Sequence, residues 1–71
     1  MTYENSYSYA NYDSATDSVN FTDDKNAEFM VGVSKKDITV RANNGEMVRI
    51  QKGKTTKEKA IRLFARLLAE K

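Results

Sequence analysis

Between residues 29 and 51, apolar and polar side chains alternate with a period of two in three successive runs. Phe29, Val31 and Val33 alternate with Met30, Gly32 and Ser34. Ile38, Val40 and Ala42 alternate with Thr39 and Arg41, and Val48 and Ile50 with Met47, Arg49 and Gln51. Such alternation places neighbouring side chains on opposite sides of an extended chain, and β-branched residues on one side predict half-buried strands. Paired strand residues must share a face, so register tests the loops. A two-residue turn at Lys35-Lys36 sets Val33 against Ile38, Val31 against Val40 and Phe29 against Ala42, all apolar. A two-residue turn at Asn44-Gly45 would set Val40 against Arg49. A three-residue loop, Asn43-Asn44-Gly45, instead sets Val40 against Val48 and Ile38 against Ile50. The longer loop is therefore expected, with Gly45 in the left-handed conformation that closes a bulge.

Gly53 ends the third run. Thr55 then stands as a helix cap, with Glu58 at the spacing of a capping box. Ala60, Ile61, Phe64, Leu67 and Leu68 gather on one side of the predicted helix, with Leu63 at its flank. This stripe is expected on the apolar face of the strands, leaving Met30, Gly32, Thr39, Arg41, Met47, Arg49 and Gln51 on the uncovered face. Residues 1–18 are rich in Asn, Ser, Asp and Tyr and carry little aliphatic material to offset the entropy of ordering. Val19 and Phe21 alternate with polar residues.

The fold class read from these patterns is α+β: a three-stranded antiparallel β-meander packed on one C-terminal helix, in the order β-β-β-α, with a mostly disordered N-terminal tail. The division is an acidic Tyr/Asn/Ser-rich tail over 1–18, a linker or short edge strand over 19–27, and a compact domain over 28–71. In element order alone this unit resembles the sheet-reading DNA-binding domains of some integrases and plant transcription factors. No motif accompanies that likeness, and no family is assigned from it.

Composition narrows the chemistry. The chain has 71 residues and neither Cys nor His, so disulfides and the usual zinc sites are excluded. No run approaches the roughly 20 apolar residues that a membrane helix needs, and the first residues lack the pattern of a secretory leader. The expected setting is the cytoplasm, or that of the host if the chain is viral. Gly53-Lys54-Thr55 between strand and helix looks like the end of a phosphate loop, but the first glycine of that motif would fall at Val48. Asp24, Asn26 and Glu28 alternate like the start of a calcium loop, but Phe29 occupies the glycine position. The expectation is a non-enzymatic protein with no catalytic residue, metal, cofactor or small-molecule substrate.

Charge is segregated beneath a net charge of +2. Residues 1–29 carry six acids against one base, and residues 30–71 eleven bases against four acids. Such asymmetry points to an anionic partner for the basic part. Arg41, Arg49, Thr39 and Gln51, with Lys35, Lys36, Lys52 and Lys54 at the strand ends, are of the types that contact phosphates and base edges. Met30 and Met47 on the same face are of a type found in protein interfaces. The plain alternative is a solvated sheet face, as antiparallel sheets commonly carry. Tyr3, Tyr7, Tyr9 and Tyr12 give the tail anchors for recognition by a partner.

Three functions compete. One is a module that binds nucleic acid or a nucleoprotein complex through the basic sheet face. Another is a small regulator or inhibitor, of the viral or mobile-element kind, that modulates a host protein. The last is a structural subunit of a larger assembly. The partner is a macromolecule in each case, and homodimerisation is open.

Overall fold

The computed structural model describes residues 6–70 and contains one five-stranded antiparallel sheet with one helix on it. The elements are β1 (Ser6–Asp13), β2 (Ser18–Thr22), β3 (Phe29–Val33), β4 (Asp37–Ala42), β5 (Met47–Gln51) and α1 (Lys57–Ala69). Strand order across the sheet is β2-β1-β3-β4-β5.

The meander of β3, β4 and β5 has the expected registers. Val33 pairs with Ile38, Val31 with Val40 and Phe29 with Ala42. Val40 pairs with Val48 and Ile38 with Ile50. Ser34 N–H donates to the Asp37 carbonyl at 3.0 Å, closing the turn on Lys35-Lys36. Ala42 N–H donates to the Glu46 carbonyl at 2.8 Å, which leaves Asn43, Asn44 and Gly45 as the loop, with Gly45 at φ 93°.

The expected fold class, a three-stranded sheet trailing a mostly disordered tail, is overturned. Residues 6–13 form β1, which lies between β2 and β3 and pairs with both. Ser8, Ala10 and Tyr12 point to the helix side, because Ser8 pairs with Val31, Ala10 with Phe29 and Tyr12 with Val19. Ala10 is completely buried. Small inward residues offer little apolar surface for a pattern to reveal, yet they let a helix lie close to the sheet. Tyrosine itself favours the pleated, half-buried surface of a strand.

The hairpin between β1 and β2 turns through Ser14–Asp17. Ala15 N–H donates to Asp13 Oδ1 at 3.0 Å, and Asp17 takes φ 52°, a conformation that Asp tolerates better than most residues. From β2 the chain must cross β1 to reach β3. Asn11 Oδ1 accepts from Glu28 N–H at 3.3 Å and anchors the end of that crossing, where Ala27 is buried.

Helix α1 lies across β1 to β4. Its buried residues are Ala60, Ile61, Phe64 and Ala65, with Leu68 packed against the same core. Phe64 meets Phe29 with ring centroids 6.0 Å apart. Two details depart from expectation. The cap is Thr56, not Thr55: Lys59 N–H donates to Thr56 Oγ1 at 3.3 Å. Leu67 lies outside the buried stripe and is 43% exposed, as is its neighbour Leu63 at 49%. Two added strands move the centre of the sheet from β4 toward β1. The helix follows them, so Ala65 turns inward and Leu67 turns toward β5.

Candidate nucleic-acid interface

Strand parity gathers the chemistry on the face opposite the helix. Met30 pairs with Arg41 and Arg41 with Met47, while Gly32 pairs with Thr39 and Thr39 with Arg49. Asp37 pairs with Gln51. All seven residues expected on this face therefore lie on it, together with Asp37. Arg49 Nε stands 3.6 Å from Asp37 Oδ2, an ion pair in which the arginine stays largely exposed. Asp37 was not among the residues singled out from the sequence. Its position in the register, two before Thr39 and four before Arg41, was the available signal.

The larger omission was β1. Tyr9 pairs with Met30 on one side and with Thr22 on the other, and Tyr7 pairs with Gly32. One row across the sheet thus reads Thr22, Tyr9, Met30, Arg41 and Met47. The next reads Tyr7, Gly32, Thr39 and Arg49. Gly32 is buried because the Tyr7 ring lies over it, at the place where a Cβ would stand. Of the tail tyrosines, Tyr7 and Tyr9 join the arginines. Tyr12 does not: it faces the helix side, and its hydroxyl donates to Asp17 Oδ1 at 2.6 Å. Tyr3 lies outside the described residues.

Lysines gather at one end of the strands, with Asp37 and Glu58 among them. Lys35 and Lys36 form the β3–β4 turn, and Lys52 N–H donates to the Lys36 carbonyl at 2.9 Å. Lys54, Lys57 and the start of the helix follow at this same end. A helix N-terminus there adds partial positive charge. Asp13, Asp17 and Glu28 sit toward the opposite end, in the hairpin and at the close of the crossing. Helix residues Arg62 and Arg66 run back toward that acidic end, where Arg62 Nε lies 3.6 Å from Asp17 Oδ1. The proximity of Asp17 is also what raises the Tyr12 pKa: the hydrogen bond to the carboxylate favours the neutral phenol, followed by desolvation and by the carboxylate's charge.

Among the described residues, no group of His, Cys, Asp or Glu is arranged to hold a metal ion, and no helix is long and apolar enough to cross a membrane. No family model, curated protein or solved structure matches this chain.

Proposed function

We propose that the chain is a non-enzymatic binding protein whose open sheet face takes a single strand of nucleic acid. The observation that carries this reading is the insertion of β1, which sets Tyr7 and Tyr9 in the same cross-sheet rows as Arg49 and Arg41. Aromatic rings on a flat surface stack on bases of any sequence, and flanking cations track the phosphates. Thr39, Gln51 and Met30 complete the surface, and Lys35, Lys36, Lys52 and Lys54 extend it at the basic end. Width favours a single strand over a duplex groove. Five strands at the usual spacing span about 19 Å, whereas a major groove is about 12 Å wide.

The test is fluorescence anisotropy of labelled single-stranded DNA, single-stranded RNA and duplex DNA at low and physiological salt. Single strands should bind more tightly than duplex, with affinity falling as salt rises. Tyr9→Ala should weaken binding by roughly tenfold or more. Arg41→Ala and Arg49→Ala should each flatten the salt dependence. Gly32→Ala should displace the Tyr7 ring and weaken binding while leaving the fold intact. Failure to bind any of these probes at low salt would overturn the proposal.

A second reading, a regulator that grips a host protein, draws on the same face. Met47 is 57% exposed and Tyr7 56%, and both types are enriched where protein interfaces are driest. It predicts binding that resists salt and survives loss of Arg41 and Arg49. Both readings place the chain in the cytoplasm, of a host cell if it is viral.

A further inference from the structure

The two edges of the sheet are finished differently. Helix α1 covers the inner face of β2: Lys57 Nζ stands 5.1 Å from the centre of the Phe21 ring and donates to Ser8 Oγ at 3.3 Å. At the other edge Val48 and Ile50 are half-buried, as Val19 and Phe21 are on β2, but the helix packs on β2 and hardly reaches β5. A groove of about 490 Å³ separates β5 from the C-terminal half of the helix, lined by Val48, Met47, Phe64 and Leu67 among others. Ala42 and Lys36 bond to Glu46 and Lys52, so the even-numbered residues of this strand direct their backbone groups to β4. By alternation, Met47, Arg49 and Gln51 direct theirs outward.

We infer that this edge is a dimerisation surface, and that its occupant is β5 of a second copy, antiparallel and centred on Arg49. The inference does not depend on what the open face binds. It rests on self-complementarity. Centred on Arg49, the pairing brings outward backbone groups together, Arg49 with Arg49 and Met47 with Gln51. On the helix side it sets Val48 against Ile50 and Glu46 against Lys52, apolar with apolar and acid with base. Centring on Val48 would oppose Glu46 to Ile50, and centring on Ile50 would oppose Val48 to Lys52. The opposed arginines are the one unfavourable pair, and each has Asp37 beside it at 3.6 Å. The same construction on β2, centred on Asn20, would oppose Asp17 to Asp23, like charges that repel. Added strands would also carry the second copy's Val48 and Ile50 to the mouth of the groove, extending the apolar core. The open face would become one ten-stranded surface with the arginines of both copies at its middle.

Sedimentation velocity over a concentration series tests this, with charge-exchange variants at the two ends of the strand. The full chain should sediment as a concentration-dependent dimer. Glu46→Lys and Lys52→Glu, each alone, oppose like charges twice in the symmetric pair and should raise the dimer dissociation constant roughly tenfold. The double variant restores the complement and should restore the dimer. Amide exchange gives an independent reading: the Met47, Arg49 and Gln51 amides should gain protection with concentration, while those of Val48 and Ile50 are protected throughout. A protein that stays monomeric, or a dimer that neither single variant weakens, would overturn the inference.

Discussion

The hairpin of β1 and β2 and the meander of β3, β4 and β5 belong to one sheet but are held to it by different means. The meander buries branched aliphatic side chains: Val31 and Val40 are completely enclosed, and Ile38 nearly so. The hairpin buries almost nothing large. Ala10 is its single fully enclosed apolar residue, while Tyr12, Val19 and Phe21 are half-covered. What the hairpin lacks in apolar burial it replaces with position and with polar ties. β1 has a strand on each side, so its backbone hydrogen bonds are shared with both halves. Tyr12, Asp17 and Arg62 link the hairpin to the helix, as does Lys57 over Phe21. A segment can therefore be central to a sheet without being hydrophobic, provided its neighbours supply the core.

The sharpest way to break that comparison is to remove residues 1–13. If the hairpin were an accessory, the meander and helix would stay folded. With β1 gone, β3 loses a strand partner, the helix loses part of the surface it packs on, and β2 is left unpaired. Loss of the cooperative thermal transition in circular dichroism is the expected result. Substitutions grade the two halves. Val40→Ala removes two methyl groups from a site closed on all sides and should cost about 2 kcal/mol. Val19→Ala, at a half-open edge, should cost under about 1 kcal/mol, both read from urea unfolding.

The smallest effect concerns the polar tie. Because the Tyr12 pKa is raised in the folded chain, the neutral phenol is the form the fold prefers. The stabilising contribution is complete below about pH 10, the pKa of an unfolded tyrosine. It fades as pH rises through the higher folded value. In a spectrophotometric titration Tyr12 should ionise after an ordinary exposed tyrosine. Asp17→Asn, which keeps the left-handed turn but removes the carboxylate, should return it toward the ordinary range. Asp17 and Arg62 are both substantially exposed, so the stability change should be slight.

Much of the meander and helix was legible because their signals are local. Each strand of the meander alternates, each loop length is forced by the residues it would pair, and Gly45 marks the bulge. Arg41, Arg49, Thr39, Gln51, Met30 and Met47 share a face by parity alone. The hairpin was not legible for the same reason. Ser8 and Ala10 alternate with Tyr7 and Tyr9, but alternation of small with aromatic residues does not say which side is inward until a helix lies on one of them. The composition of residues 1–18 matches that of chains that remain unfolded, and composition takes no account of a waiting strand edge. Leu67 was misplaced for a related reason, since its side of the helix depends on how wide the sheet beneath has become.

By itself the sequence determined the elements whose side chains choose a face on apolar contrast, and with them the side of the sheet on which the arginines stand. Tertiary structure decided the rest: that Tyr7 and Tyr9 join those arginines, that Tyr12 turns to Asp17, and that β5 is left uncovered beside the helix. Those outcomes depend on backbone hydrogen bonding between distant segments, which is available to any residue with an N–H and a carbonyl and so leaves little trace in the order of side chains.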